Sequence, residues 1–527
     1  MHDRLKRALV LVVVFLAGMT SLALELSASR LVGPYFGTSL FIWANLIGFE
    51  LIYLTIGYTI GGRLADRNPS ATRLYTIVAT SAVFIGIVPL LSRPVLTWSL
   101  EGFANLDVGA FVGSLVGINL LLAVPIILLG MVTPFAIRLE IVKLDQAGRT
   151  AGRIYALSTL GSIIGTFLPV FVFIPTIGTA RTFVLFAVVL FLGAMAGLVL
   201  SQAKQPLSRV ALPASVLLGL SIVGAVLPYQ IKPGFDGRLV TEKESLYNYI
   251  QVVNNQGTYE LILNEGQAVH SLYNPDYAVL GGEWAYFLPA PLFNNPPYAT
   301  SDLHSACIIG LGAGTIPRNI DDTYGAIPMD GVEIDPEIVS LGRQYFDMRE
   351  PNLHVVIQDG RYFLALNHKQ YDLIAIDAYQ QPYIPFQLTT KEFFQLTREH
   401  LTPHGVVAIN AGRGGSDFRL VNALASTMHA VFKNVFVYDV QGEANSIIVG
   451  MNDDTAQITN LAANLPTLSQ PNLAILAENV LSPEANLRQG STHDIVFTDD
   501  RAPVETIINQ IILGYIRDNS GTNNGLP

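Results

Sequence analysis

At 527 residues the chain is too long for one hydrophobic core, so two or three domains are expected. Half of its residues are hydrophobic and the mean hydropathy is +0.42, high for a wholly soluble protein. Residues 1–228 carry a net charge of +7 and the remainder −17, for a total of −10. The acidic C-terminal part disfavours nucleic acid and favours cationic ligands, whose local concentration its field raises. The single cysteine, Cys307, excludes an internal disulfide and a cysteine zinc site, and its place in an apolar run marks it as a core residue.

In chain order, apolar stretches at 8–29, 40–61, 74–92, 109–131, 154–175, 182–200 and 211–228 have the length needed to cross the hydrocarbon. They give a polytopic membrane domain over 1–228 with about seven helices. The first is not a cleaved signal, because its apolar run is too long and further spans follow. Arg and Lys concentrate before the first span and in alternate loops, which puts the N-terminus in the cytoplasm. Seven spans then leave the C-terminal part outside, at odds with a cofactor made in the cytoplasm. A re-entrant stretch or an eighth span returns it there, and the cytoplasmic face is preferred with the topology left open. Glu25 and Glu50 lie inside spans, where an ionised carboxylate is costly and often functional; the plain alternative is that they face Arg30, Asn45 or a polar packing seam. Gly57, Gly61, Gly62, Gly161 and Gly165 suit close helix packing.

After Pro228 the composition shifts. Tyr249–Val253, Tyr259–Leu263 and Ala268–His270 read as strands separated by Asn/Gly turns, giving a small β-hairpin domain over 229–298. From 299 to 454 strands and helices alternate, as in a parallel α/β sheet of the Rossmann-like, class I methyltransferase type. Helices are expected at about 315–323, 336–346, 391–401 and 416–432, and further strands at 406–409, 435–438 and 446–449. The tail, 455–527, reads as helical or irregular.

Four motifs end successive apolar runs in this second part: Gly310-Leu-Gly-Ala-Gly314, Val332-Glu-Ile-Asp335, Gln358-Asp-Gly360 and Ala375-Ile-Asp377. The C-terminal ends of parallel strands are where such sheets bind ligands. A glycine loop lets backbone approach the ligand, and the acid ending the next strand can hold two ribose hydroxyls, so the series reads as a nucleoside site. The next two acids fall where the base and the reacting end would lie. Asp335 is more simply a helix cap before Pro336, and Asp359 can cap a helix beginning near Arg361.

With these residues, the C-terminal half resembles the spermidine synthase (polyamine aminopropyltransferase) family, and the whole chain is similar to its bacterial membrane-fused form. The resemblance rests on the four motifs, on Glu244-Ser-Leu-Tyr-Asn-Tyr-Ile-Gln251, on Gly282-Glu-Trp-Ala-Tyr286 before Pro289, and on Leu388-Thr-Thr-Lys-Glu-Phe-Phe394. Thr498-Asp-Asp-Arg-Ala-Pro-Val-Glu505 is similar to a segment of the fused members. It implies that Gln251, Gly310, Gly312, Gly314, Glu333, Asp359 and Gly360 bind decarboxylated S-adenosylmethionine or S-adenosylmethionine as co-substrate, without a metal. It implies Asp377 as the catalytic acid, with Tyr286, Tyr379 and Gln380 lining the acceptor site. The partners implied are a small-molecule amine or other nucleophile and the lipid bilayer, with a homodimer allowed and no nucleic acid.

Three positions depart from the family pattern. Ala313 replaces an aspartate in the glycine loop, Gln380 a second aspartate after the catalytic one, and Phe287 a histidine. The expected activity is aminopropyl transfer to a polyamine such as putrescine. A methyltransferase using S-adenosylmethionine, and a transporter or sensor whose soluble domain binds nucleoside without turnover, stay open.

Overall fold

Helices that are apolar on every side gain nothing from a polar face, and where their glycines line up the backbones can meet. The computed structural model describes residues 2–36, 40–103, 109–141, 146–201, 236–264, 268–276, 281–379 and 383–519, with scattered positions between 215 and 234. It divides into two units, Met1–Pro233 with Glu244–Tyr249, and Gly234–Lys243 with Ile250–Pro527.

The first unit contains helices α1 (His2–Phe36), α2 (Leu40–Arg67), α3 (Ala71–Phe103), α4 (Gly109–Gly130), α5 (Val132–Glu140), α6 (Ala147–Leu168) and α7 (Thr179–Leu200). Among the described residues six helical stretches are long and apolar enough to cross a membrane, with α4 and α5 forming one of them. The expected seventh, 211–228, lies largely outside the described residues. Helix α1 packs on α6 through small residues: a Cβ at Gly161 or Gly165 would collide with the carbonyl oxygens of Phe15 and Met19. Ser162 donates to the carbonyl of Gly18 across the same seam at 3.1 Å. Gly57 and Gly61 make similar approaches to Ile127 and Met131, drawing α2 against α4 and α5.

The second unit opens with a four-stranded sheet in the order β1 (Arg238–Glu244), β2 (Tyr249–Asn255), β3 (Thr258–Leu263) and β4 (Val269–Tyr273). The β2–β3 and β3–β4 pairs are antiparallel, as a hairpin series requires. The main sheet has eight strands: β5 (Ala306–Ile309), β6 (Met329–Glu333), β7 (Leu353–Ile357), β8 (Tyr371–Ile376), β9 (Leu401–Gly412), β10 (Asn434–Asp439), β11 (Asn445–Met451) and β12 (Arg488–Gln489). Their order is β12-β10-β11-β9-β8-β5-β6-β7. The five from β9 to β7 are mutually parallel, and β11 and β10 are antiparallel additions.

Strand β5 is buried on both faces, so it reads as a continuous apolar run. Ala306 and Ile308 enter one hydrophobic cluster, and Cys307 and Ile309 the other. Cys307 is a fully buried core residue, and burial pushes its thiol far above the usual thiol range. From β5 the chain proceeds outward through β6 and β7, then returns to β8 on the opposite side of β5. This reversal opens a crevice at the C-terminal ends of β5 and β8, the usual ligand position in an open α/β sheet.

Candidate active site

Strand β5 ends in the glycine loop, which leads into α8 (Thr315–Tyr324). Gly310 has φ +86°, a backbone shape that side chains disfavour, and a Cβ there would strike the carbonyl oxygen of Asp377. Glycine at 310 thus lets the loop lie directly on the end of β8. The hairpin sheet closes against the other side of the loop: Ser271 accepts from the N–H of Ala313 at 2.9 Å, and Thr315 accepts from the N–H of Leu272 at 2.9 Å.

Glu333 ends β6 and is 7% exposed. One carboxylate oxygen accepts from the N–H of Gly312 at 2.9 Å and the other from Asp335 at 3.1 Å. Burial pushes its carboxyl up to about 7, while these backbone donors and that of Ile334 oppose the shift. Each oxygen has two lone pairs, so a twice-bonded carboxylate still has sites for two hydroxyl donors.

Asp335 caps α9 (Pro336–Tyr345), accepting from the N–H of Glu337 at 3.0 Å. Asp359 caps α10 (Gly360–Leu366), with Oδ1 accepting from the N–H of Tyr362 at 2.9 Å. Gly360 is required beside it, because a Cβ would run into the side chain of Ile309.

Asp377 follows β8 across the crevice. Asn410 donates from Nδ2 to its Oδ1 at 2.9 Å, and the Trp284 indole donates a further hydrogen bond. Burial pushes Asp377 up to about 6, and both donors act against that rise. Asn445 donates to the Oδ1 of Asn410 at 2.9 Å, which fixes the amide with its nitrogen toward Asp377. The Tyr379 hydroxyl donates to the Asn410 carbonyl at 3.2 Å and accepts from the N–H of Gly412 at 2.9 Å.

Glu283 lies close enough to Asp377 to feel its charge. Burial first, then Asp377 and Glu443, pushes the Glu283 carboxyl up to about 8. Glu283 and Trp284 stand in the sequence within the motif of residues 282–286, and Asn410 stands in none of the motifs. The signal available for Asn410 was a buried amide at the end of the strand next to the one bearing Asp377.

Gln251 lies on β2, 2% exposed and opposite Ile262. Tyr286 is also buried, and its hydroxyl engages the backbone of Gln441 and the side chain of Asn479. Gln380 lies outside the described residues. Ala313 is 1% exposed in an apolar cluster with Ile250, Val252, Leu261, Ile338 and Leu341.

The family model for the spermine/spermidine synthase domain matches residues 295–442, which include the glycine loop, Glu333, Asp359, Asp377 and Asn410. A probable polyamine aminopropyl transferase of Bifidobacterium longum is 33% identical over 302 residues, 54% of this chain and 66% of that protein. Residues 295–442 carry a spermine/spermidine synthase domain. The chain spans just under two thirds of the Bifidobacterium relative. A Vibrio vulnificus polyamine aminopropyltransferase is 29% identical over 226 residues, 40% of this chain and 72% of that one. An N-terminal histidine N-methyltransferase of Emericella nidulans is 31% identical over 204 residues, covering 33% of each chain. Among solved structures, a probable spermidine synthase from Corynebacterium glutamicum aligns at 18% identity and a TM-score of 0.39, over 55% of this chain and 97% of that one.

Proposed function

We propose that the chain is a membrane-attached aminopropyltransferase that moves an aminopropyl group from decarboxylated S-adenosylmethionine to a polyamine such as putrescine. The observation that carries this reading is the pairing of Glu333, beneath the glycine loop, with a donor-held Asp377 across the same crevice, in a chain that carries this domain. In it, Glu333 takes the ribose hydroxyls on its free lone pairs. Asp359 uses the oxygen not engaged in capping to accept from the adenine amino group, with Gly360 allowing the close approach. Gln251 faces the same ligand from the hairpin sheet.

The acceptor amine attacks the carbon beside the sulfonium sulfur. A C–N bond forms as the C–S bond breaks, the sulfur keeps the electron pair, and methylthioadenosine leaves. The amine proton departs through the Asp377 carboxylate to water. Holding amine and donor in line removes much of the entropic barrier, and the carboxylate orients the amine. Glu283 adds a second carboxyl close to Asp377, where Ala313 and Gln380 supply none. The six long apolar helices support attachment to the cell membrane, with the second unit on the cytoplasmic face, where such a donor is made.

A methyltransferase is the second reading, favoured by Ala313: with an apolar side chain packed there, no loop carboxylate faces the amine of a decarboxylated donor. Full-length protein supplied with putrescine and either decarboxylated or intact S-adenosylmethionine separates the two by mass spectrometry of the nucleoside product. Methylthioadenosine together with spermidine supports aminopropyl transfer. S-adenosylhomocysteine supports the second reading, and no nucleoside product with either donor overturns both.

Asn410→Ala tests how Asp377 is held. A hydrogen bond to a charged group is worth about 1.5–3 kcal/mol, so turnover should fall roughly tenfold to a hundredfold. The lost donor had stabilised the carboxylate, so the acid limb of the pH–rate profile should move to higher pH. The KM for the nucleoside donor should not change.

A further inference from the structure

Helix α2 turns a line of polar side chains toward its neighbours in the first unit. Asn45 donates to Ser114 of α4 at 3.2 Å, and the Tyr53 hydroxyl hydrogen-bonds Asn119 of the same helix. Between them on α2 lies Glu50, 5% exposed. Ser21 of α1 donates to its Oε1 at 3.4 Å, while Oε2 is buried with no hydrogen-bond donor. Glu25, one turn further along α1, brings its carboxyl within hydrogen-bonding range of Glu50.

Among the described residues, titratable groups lie near Glu50 on two helices. From α1 there is Glu25, and from α2 itself Tyr58, which also lies near Tyr155 of α6. On α5, Arg138 is already paired with Asp66 at 3.2 Å. Two carboxyl groups are both acceptors, so their contact needs something positive between them. Hard metal cations of the calcium type gather about six to eight oxygen ligands. Among the described residues the two carboxyls and the Ser21 hydroxyl converge here, and no three His, Cys, Asp or Glu side chains form a metal-holding group. A single proton satisfies the geometry: it turns one carboxyl into a donor for the other and leaves the remaining acceptor for Ser21.

We propose that Glu25 and Glu50 form a proton-binding site within the helical unit, one proton being shared between the two carboxyl groups. The site lies in a different unit from the crevice at Asp377 and gives the helices a chemistry of their own, the uptake and release of a proton.

The test is infrared spectroscopy of the full-length chain in lipid nanodiscs at neutral pH, comparing wild type with Glu25→Gln, Glu50→Gln and the double variant. Each difference spectrum should show loss of the carbonyl stretch of one protonated carboxyl. The double variant should lose no more than either single one, because a shared proton is lost once. Taking wild-type spectra with and without sodium or potassium should leave the band unchanged. Bands from Glu283 and Glu333 cancel in the subtraction.

Three results overturn the proposal: no loss in any variant, a double variant that loses twice as much, or a band removed by alkali cation. If the variants fail to fold, wild-type protein is treated with a hydrophobic carbodiimide, which reacts with protonated carboxyls, and mapped by mass spectrometry. An adduct on Glu25 or Glu50 supports the site, and its absence from both overturns it.

Discussion

Replacing Asp377 with Asn is expected to lower turnover by about 10²–10⁴-fold, the usual contribution of a positioned acid–base group. The amide keeps the size of the side chain but cannot take the amine's proton. It also turns an NH2 toward Asn410 or Trp284, both of which donate to the native carboxylate. Nucleoside binding should survive, because in the proposed site Glu333 and the glycine loop hold that end independently, so the loss should fall on kcat. The wild-type profile carries a matching sign. Burial holds Asp377 at about 6, so the active carboxylate is depleted as pH falls through that value, and turnover should rise with pH across the region around 6. A stopped-assay pH series on wild type and Asp377→Asn checks both points; unchanged turnover in the variant removes Asp377 from the reaction.

How much of this was legible before the structure depended on which forces act locally. Parallel strands buried on both faces are continuous apolar runs, so β5 and β8 stood out, with Gly310 and Asp377 at their ends. Capping is also local chemistry. Asp335 before Pro336 caps α9 as read, and Asp359 caps α10, the alternative weighed against binding. Strand β9 was expected only over 406–409, yet neighbouring strands draw the whole of 401–412 into the sheet. The two-residue β12 carries no pattern of its own and exists through its pairing with β10.

The support of Asp377 was hidden for the same reason. Asn445 reaches Asn410 because β11 runs antiparallel to β9 with Asn445 opposite Gly412 and Ile447 opposite Asn410, a diagonal neighbour relation. No spacing in the sequence encodes that register. Tyr286 shows the converse. Its motif is visible in the sequence, but its packing against Tyr438 and its contact with Asn479, far along the chain, are not.

Glu333→Gln is expected to weaken nucleoside binding by about tenfold to a hundredfold or more, from the loss of charge-assisted hydrogen bonds worth about 1.5–3 kcal/mol each. An amide has one oxygen where the carboxylate has two. With Gly312 and Asp335 each donating to a different oxygen, the new NH2 must face one of those N–H groups. The binding of methylthioadenosine, measured by calorimetry, gives the readout. Burial raises Glu333 from 4.5 to about 7 without ligand, so the folded protein holds a proton that the unfolded chain gives up at lower pH. Its contribution to stability is therefore present at low pH and declines as pH rises from about 4.5 through about 7. Ligand affinity should run in the opposite direction. In the proposed site ribose hydroxyls donate to the ionised form, so binding should tighten as pH rises through about 7, with proton release that varies with pH in the same range. In Glu333→Gln that pH dependence should disappear along with the affinity. A variant that binds as tightly as wild type at every pH would take Glu333 out of the ribose site.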